Sequence, residues 1–343
     1  MTQVLRQLSS FAAQSAAFSK FVTLLEQTRG EAPHLLSVLT YHRVDRPEAR
    51  PALYPGLISA TPEAFEQQMA YVAANYDVVS MPELLGASRT GAALPPRPVM
   101  VTFDDACLDF AEHAWPVLKR HRMPVTLFVP TTFPDHPERA FWWDRLYQAL
   151  TATRCGQLTT PVGSLPLATA AQCLQAFTRL RDYVKSRPHA EAMAWIEQVC
   201  DDLGAPPPEH SVMDWETLRR LARDGVALGA HTRTHPLMNR VSLDEVRAEA
   251  VGSLRDLERE IGSALPIFAY PGGGLNDEVV RLLEREGFAL AFTTLPGIND
   301  LRRADPLRLR RINVGQRTNL TVLRARLLPW TLYLNRWQPL LGA

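Results

Sequence analysis

The chain has 343 residues, a formal net charge of +1, 46% hydrophobic residues and 21% charged residues. These values fit a globular chain with a large apolar core, and a charge so close to zero gives no basic surface for nucleic acid. The four cysteines are irregularly spaced and include no C-x-x-C pair, which argues against a disulfide framework and against a cysteine-based zinc site.

The N-terminal segment predicts an amphipathic helix. Apolar residues recur at three- and four-residue steps over residues 3–28, and Gly30 and Pro33 end the pattern. Polar residues interrupt every apolar stretch, so we predict no signal peptide, and no run of about 18 apolar residues predicts a transmembrane helix. These features favour a cytoplasmic protein.

The segments that follow alternate between strand and helix patterns. Residues 35–41 form an apolar strand that leads to His42. A helix begins after Thr61, a good cap, and the next residue is a proline suited to the first helical position. Nearly continuous apolar runs over 99–103 and 123–130 predict strands covered on both faces, as in a parallel sheet.

The alternation stops over about 135–212 and then resumes. This stretch is too long for an ordinary loop, and helical patterns over about 169–187 and 190–203 predict a helical insertion. Four strands and three helices follow, then a helical tail with a break near Pro329. Alternating strands and helices predict a doubly wound sheet or a β/α barrel. Polar residues stand at the C-terminal ends of several strands, which favours the barrel.

Asp104 and Asp105 end the strand at 99–103 in the sequence VTFDDA. Carboxylates at this position can cap the following helix. Because adjacent side chains on an extended strand point in opposite directions, the pair can also divide two tasks, with one carboxylate binding a cation and the other facing a substrate. Both interpretations stay open on this motif alone.

His231 and His235 follow another strand in GAHTRTHP, where Pro236 disfavours a long helix. A tight turn would direct both imidazoles at one ion. Two histidines with a carboxylate from elsewhere form a suitable site for Zn²⁺ or a similar divalent metal ion. The alternative, two surface histidines in a loop, is disfavoured by the presence of VTFDDA.

A third motif, FAYPGGG, ends a strand at Tyr270, and its glycines let backbone N–H groups approach a ligand closely, although a plain turn has the same composition. TFDD, H-T-x-x-H and the Tyr-Pro-Gly turn, in this order, resemble the NodB-homology polysaccharide deacetylases of carbohydrate esterase family 4 over roughly residues 35–315. The resemblance implies a distorted (β/α)₇ barrel and metal-dependent removal of acetyl groups from N-acetylated sugars, and the helical patterns at both ends add flanking N- and C-terminal helices.

The resemblance also implies a role for each motif residue. Asp105, His231 and His235 would bind a divalent metal ion, with Zn²⁺ the expected one, and Asp104 would be the general base. The backbone N–H of Tyr270 would help to bind the oxyanion. These roles suit amide hydrolysis, because a poor electrophile needs a polarised carbonyl, a base for the attacking water and donors for the oxyanion.

The general acid departs from the usual family order. The family usually takes it from an L-x-x-H motif near the C-terminus of the domain, but the last strand here, LRLRRINV, has no histidine. Leu39-Thr40-Tyr41-His42 has this pattern ahead of TFDD, which resembles a permuted branch containing the biofilm poly-N-acetylglucosamine deacetylases. We therefore predict that His42 is the general acid and not a core histidine.

Two further family features are replaced or missing. Phe268 stands where the third motif usually opens with an arginine that contacts the base. Arg310 or Arg311 on the last strand could supply that charge, and Arg311 is preferred by position. No D-x-x-D-W element, which tunes the acid in the family, follows the third motif. Asp214 fits a helix cap better, and Trp143-Asp144 is a second candidate.

We predict three parts: an N-terminal helix over 1–33, a deacetylase barrel over 34–316 that contains the helical insertion, and a helical tail over 317–343. The insertion and a loop at 45–60 are expected to shape the substrate groove. The predicted partner is an N-acetylated glycan or a lipid-linked sugar, and not nucleic acid. The aromatic and basic residues of the tail either pack on the barrel or lie on a membrane surface.

Two alternative functions share these motifs. The same metal site could hydrolyse other non-peptide C–N bonds or act as an O-acetyl esterase, because the motifs do not distinguish these substrates. A non-catalytic glycan-binding protein would be expected to lack the base or a metal ligand, and all of these residues are present.

Overall fold

Seven parallel strands close into a barrel in the computed structural model, which describes residues 15–28, 30–136, 138–206 and 210–329. The strands in chain order are β1 (Leu35–Tyr41), β2 (Arg43–Val44), β3 (Ile58–Ala60), β4 (Asp77–Val78), β5 (Pro98–Phe103), β6 (Thr126–Val129), β7 (Gln157–Thr160), β8 (Gly163–Pro166), β9 (Ala227–Ala230), β10 (Ile267–Ala269), β11 (Leu290–Pro296), β12 (Asn299–Asp300) and β13 (Leu309–Asn313). The barrel order is β1, β13, β11, β10, β9, β6 and β5, and β5 pairs with β1 to close it. The predicted (β/α)₇ barrel is confirmed.

Helices surround the barrel. In chain order they are α1 (Ala16–Gln27), α2 (Pro62–Asn75), α3 (Met81–Thr90), α4 (Trp115–Arg120), α5 (Trp142–Ala152), α6 (Ala170–Ser186), α7 (His189–Asp202), α8 (Trp215–Arg223), α9 (Leu243–Ile261), α10 (Asp277–Arg285) and α11 (Leu320–Arg326). Local sequence explains several starts: the Thr61 side chain accepts a hydrogen bond from the Ala64 N–H at 3.3 Å, and Ser242 forms a capping box with Glu245.

The barrel strands are buried on both faces, as their apolar runs predict. Every residue of β5 and β6 is buried. One cluster of apolar side chains comes from alternate positions of opposing strands, which places it inside the barrel. It includes Val38, Met100, Phe128 and Leu309. Gly229 is needed beside this cluster, because a Cβ there would lie 2.6 Å from the Phe128 ring.

The first and last barrel strands are neighbours. The predicted role of His42 requires this arrangement, because His42 follows the first strand and the usual acid follows the last. β1 and β13 pair in parallel, with Leu39 opposite Ile312 and Thr40 opposite Asn313. A side chain at the end of β1 can therefore reach the same point in space as one at the end of β13. The short strand β12, which the sequence did not predict, pairs with β1 in the antiparallel direction.

The insertion is only partly the helical segment that the sequence predicts. The two expected helices are present as α6 and α7. The Ser/Thr/Gly-rich segment between α5 and α6 forms an antiparallel hairpin of β7 and β8, with Thr160 opposite Gly163. Its strands are mostly exposed, so they lack the apolar alternation that would have indicated them.

The described parts of the two termini pack together. Within the N-terminal segment, α1 buries Val22 against Ala325 and Leu328 of the C-terminal segment, and Arg324 pairs with Glu26. The remaining predictions for residues 1–14 and for the tail beyond residue 329 lie outside the described residues. None of the helices in the described ranges combines the length and apolarity needed to span a bilayer.

Candidate active site

Strand alternation brings the predicted base, acid and arginine to the inner face of the barrel. Asp104 follows Met100 at an even spacing along β5, and His42 follows Val38 in the same way along β1. Arg311 stands two residues after the inward-facing Leu309 of β13. These side chains meet at the C-terminal end of the barrel, where barrel enzymes place their sites.

Asp104 forms a buried, bidentate pair with Arg311. The guanidinium Nη1 and Nη2 donate to the two carboxylate oxygens at 2.8 and 2.7 Å, and Nε donates to the Thr293 carbonyl at 2.8 Å. Burial alone would raise the pKa of Asp104, but the Arg311 charge holds it below its ordinary value. Arg310 instead donates to the Pro296 carbonyl, so of the two candidates only Arg311 contacts the predicted base.

His42 faces the same cavity as Asp104. Its Nε2 atom lies 4.0 Å from Asp104 Oδ2, and its side chain is 27% exposed. The His42 backbone N–H donates to Ser59 Oγ at 2.9 Å, which anchors the end of β1 to β3. The partial exposure and the nearby carboxylate distinguish this histidine from one enclosed in the core.

Asp105, His231 and His235 form a compact cluster at the end of β5 and β9. One ligand atom from each lies within 4.8 Å of the others. Asp105 Oδ1 lies 3.5 Å from Nε2 of His231 and 3.3 Å from Nε2 of His235. The cluster is almost completely enclosed by protein.

The hydrogen bonds of this cluster fit a cation. Nδ1 of His231 lies 2.8 Å from the Ala269 carbonyl, which can only accept, so this nitrogen carries the proton. Nε2 of a neutral His231 is then a lone-pair atom directed at the acceptor Asp105 Oδ1. That oxygen is buried and has no hydrogen-bond partner in the described part of the chain. Acceptors that face one another, with a histidine oriented by a carbonyl, are the arrangement of a metal site.

The backbone is left-handed at two of the three predicted metal ligands and at Thr232. Asp105 has φ +72°, Thr232 +65° and His235 +63°, a region that costs non-glycine residues about 1–2 kcal/mol each. The extended conformation assumed for Asp104 and Asp105 is therefore wrong at the second aspartate. The left-handed turn directs Asp105 to the histidines, while Asp104 stays in line with the strand. The predicted tight turn after β9 is present, with the His235 N–H donating to Thr232 Oγ1 at 2.9 Å.

The Tyr270 N–H, the predicted oxyanion donor, already has a backbone partner. Its N–H donates to the Phe292 carbonyl of β11 at 3.0 Å, and its buried hydroxyl donates to the Leu307 carbonyl at 3.0 Å. Gly272 lines the cavity instead, with φ +54°, and no backbone hydrogen bond from its N–H is found within the described residues. The glycine run after Pro271 is the sequence signal for this position.

Both candidates for the acid-tuning aspartate have other partners. Asp214 caps α8 by accepting the Thr217 N–H at 2.8 Å. Asp144 pairs with the buried Arg43 at 2.6 Å and accepts the Tyr54 N–H at 2.7 Å. The Arg43–Asp144 pair thereby joins β2, which follows β1 and His42, to the insertion.

The insertion and the 45–60 loop form the walls of a cavity of about 240 Å³ above the cluster. Tyr54 and Leu57 come from the loop, and α5, α6 and α7 of the insertion supply aromatic and basic side chains. Trp143 packs edge-on against His235, with ring centroids 5.0 Å apart. As expected, both segments shape the space next to the predicted metal ligands.

The end of the barrel thus holds an enclosed carboxylate–histidine cluster next to a covered cavity. The family model for polysaccharide deacetylase matches residues 91–291, more than half of the chain. The chain therefore belongs to the polysaccharide deacetylase family, which agrees with the NodB-homology resemblance of its motifs.

The following relatives share little sequence identity with this chain. A Bacillus subtilis (strain 168) protein described as "Putative polysaccharide deacetylase YxkH" is 26% identical over 82 residues, which is 24% of this chain and 29% of that protein. The Streptococcus pyogenes deacetylase PplD, solved with acetate, has a TM-score of 0.58 and 20% identity over 86% of this chain and 99% of its own. IcaB from Ammonifex degensii has a TM-score of 0.54 and 19% identity over 88% of this chain and 98% of its own. These structures share the barrel fold.

Proposed function

We propose that this protein is a metal-dependent deacetylase that removes acetyl groups from the N-acetylated sugars of a polysaccharide or glycoconjugate. The main support is the presence in one cavity of a carboxylate–histidine cluster suited to a divalent metal ion, a carboxylate held by an arginine, and a partly exposed histidine. The cavity is large enough for a sugar ring and has aromatic walls, which suit carbohydrate.

Asp105, His231 and His235 would hold the metal ion, for which Zn²⁺ is the expected identity because the ligands are two imidazoles and one carboxylate. When bound, such an ion polarises the acetyl carbonyl and lowers the pKa of the attacking water. The Ala269 carbonyl fixes the tautomer of His231, so that its Nε2 faces the site.

Asp104 is the proposed general base. Its bidentate pair with Arg311 fixes the orientation of both carboxylate oxygens and keeps the group ionised, so that it can accept a proton from the attacking water. The Gly272 N–H is the proposed protein donor to the oxyanion, because it lies at the cavity and has no partner in the described backbone.

His42 is the proposed general acid. An amine leaves an amide only when it is protonated, so hydrolysis needs a donor near the scissile nitrogen. His42 lines the cavity 4.0 Å from Asp104, which allows base and acid to serve the same bound acetamide.

Acetate release from N-acetylglucosamine oligomers tests the proposal. We expect release by the metal-loaded protein, loss of release with a chelator, and loss in Asp104→Asn, with Asp214→Asn as the matched control at a helix cap. O-acetylated sugars assayed in parallel separate amide hydrolysis from esterase activity. Release that is the same with chelator, or the same in Asp104→Asn, would contradict the proposed chemistry.

We also propose a lipid-linked sugar as a substrate to be assayed, because such a substrate would lie at a membrane surface. The tail residues that would contact a membrane surface include Trp330 and Trp337, which lie outside the described residues. Co-sedimentation with liposomes, for the full chain and for a chain ending at residue 329, tests whether the tail contributes membrane contact.

A further inference from the structure

One wall of the cavity carries a concentration of positive charge. Four cationic side chains line the cavity beyond the predicted catalytic and metal-binding residues, and we name them the cationic wall: Arg181, Lys185, Arg187 and Arg240. Among the described lining residues the only carboxylates are Asp104 and Asp105. The first is paired with Arg311 and the second belongs to the cluster that fits a metal ion, so neither neutralises the cationic wall.

The spacing along α6 places two of these charges on the face that meets the cavity. Phe177, Arg181 and Lys185 follow one another at four-residue steps, so they share one face of the helix. Like charges at this spacing destabilise a helix. Arg181 and Lys185 are not among the buried residues of α6, which include Phe177, Leu180 and Val184. Packing therefore does not account for the two cations.

The carboxylates near the cationic wall lie outside the cavity lining. Arg181 pairs with Asp182 at 2.8 Å and Arg187 with Glu191 at 3.0 Å, and both carboxylates are well exposed. Exposed pairs of this kind are weak and are screened by salt. Lys185 and Arg240 take part in no ion pair among the residues that the structure describes. An anion in the cavity could therefore recruit all four cations.

Lys185 extends from the insertion to the barrel end. Its Nζ atom lies 4.0 Å from the position that a Cβ on Gly272 would occupy. The aromatic rings of Tyr54 and Phe177, with centroids 4.2 Å apart, line the same cavity and provide apolar surface for a sugar ring. A sugar placed with its acetamide at the metal cluster thus has cationic groups within reach of its substituents.

We propose that the cavity takes an N-acetylated sugar that carries an anionic group, a phosphate or a carboxylate, bound by the cationic wall. The inference rests on the proposed deacetylation and specifies its substrate class. Oxyanions attract ammonium and guanidinium groups through charge-assisted hydrogen bonds, and a cavity with low-dielectric walls strengthens that attraction.

Three matched substrates test this inference in the metal-loaded protein. They are a neutral N-acetylglucosamine oligomer, the same oligomer phosphorylated at its reducing end, and an oligomer that alternates N-acetylglucosamine with glucuronate. We expect kcat/KM for acetate release to be about tenfold or more higher for an anionic substrate, with the advantage shrinking as NaCl is raised. The phosphorylated and glucuronate substrates distinguish the two sources of negative charge.

The double variant Lys185→Gln/Arg240→Gln should lower the anionic-to-neutral ratio of kcat/KM by about tenfold, on the order of threefold for each contact. Arg285→Gln, an exposed cation on α10 that does not line the cavity, is the matched control and should keep the wild-type ratio. A second measurement is independent of turnover. Trp142 and Trp143 line the cavity, so their fluorescence in chelator-treated protein can report binding of N-acetylglucosamine 1-phosphate.

The outcomes separate the two proposals. Equal or better turnover of the neutral oligomer, or an anionic preference unchanged in the double variant, overturns the cationic wall as a substrate site. A Kd for the sugar phosphate that rises about tenfold in the double variant, but not in Arg285→Gln, supports it. Absence of acetate release from every N-acetylated substrate contradicts the proposed deacetylation, while the fluorescence titration still decides whether the cationic wall binds anions.

Discussion

Removing the guanidinium of Arg311 tests whether its pair with Asp104 keeps the proposed base ionised. Arg311→Met keeps a side chain of comparable length and removes the two hydrogen bonds to the carboxylate, at 2.8 and 2.7 Å. Arg311 is fully buried, so water does not readily take its place. Asp104 would be left buried without its principal positive partner.

The size of the effect follows from this burial. Breaking a buried pair by removing one partner costs about 3–5 kcal/mol of unfolding free energy. An adjacent opposite charge lowers a carboxyl pKa by about 1–3 pH units, so its loss lets burial raise the pKa of Asp104. In the wild type, the lowered pKa of Asp104 stabilises the fold at pH values above the pKa of this group in the unfolded chain. This stabilisation is lost as pH falls. In the variant, the raised pKa of Asp104 has the opposite effect on stability, so the free energy of unfolding falls as pH rises.

Two measurements report the change. The acid limb of the kcat/KM profile of the metal-loaded protein should move up by about 1–3 pH units in Arg311→Met. Urea unfolding should show a deficit near neutral pH that narrows at acid pH, where Asp104 is protonated in both proteins. Arg310→Met is the control on the same strand, because that guanidinium contacts the Pro296 carbonyl and not the base.

An acid limb that stays in place or moves down, in a variant that still folds, would refute the assigned role of Arg311. So would a stability deficit that is independent of pH, because it would show that the lost interaction was packing and not charge. Equal shifts in the Arg310→Met control would point to a general change in surface charge.

The other predictions concern three separate positions. His42→Ala should keep metal binding, measured by metal analysis after dialysis, while turnover falls by about 10²-fold; wild-type turnover would return His42 to a structural role. Gly272→Ala should lose about 1 kcal/mol in urea unfolding and part of the activity, because φ is +54° and the new Cβ would lie 2.8 Å from Leu237 Cδ2, which displaces the N–H that alanine still carries; an unchanged kcat together with the expected loss of stability would count against a need for this N–H in its present position. Burial raises the pKa of Asp109 to about 6, so this group should contribute a fall of about 3 kcal/mol in stability as pH rises from about 4 to about 7. Asp109→Asn keeps an acceptor for the Val44 N–H and should remove that fall, and a variant that keeps the wild-type pH dependence would assign it to other groups.

The barrel could be predicted because its strands are continuous apolar runs that end in polar residues. β1 and β5 appear in the sequence almost with their final bounds. The hairpin of β7 and β8 could not be predicted, because its strands are largely exposed and carry no apolar period. A buried barrel strand can be recognised from its apolar run, whereas an exposed hairpin can be recognised only from the residues of its turn.

Within the site, residue types were easier to predict than backbone conformations. Arg310 and Arg311 are adjacent on β13, and only the closed barrel decides which of them faces inward. The left-handed turn at Asp105 could not be foreseen, because an aspartate is not a residue that requires positive φ. The partner of the Tyr270 N–H could not be predicted for a related reason: this N–H belongs to the pairing of β10 with β11, a long-range contact that no local pattern reveals.

The Arg43–Asp144 pair has a consequence for exchanging substrate specificity between relatives. The barrel supplies the proposed chemistry, while the insertion supplies three of the four residues of the cationic wall, and this buried pair connects them. A chimera that replaces residues 145–206 but keeps Asp144 would change what the cavity accepts and leave the barrel end intact. A graft without that carboxylate would strand the Arg43 charge next to His42, at a cost of about 3–5 kcal/mol. A different insertion in this chain is therefore expected to need an acidic side chain at the position of Asp144.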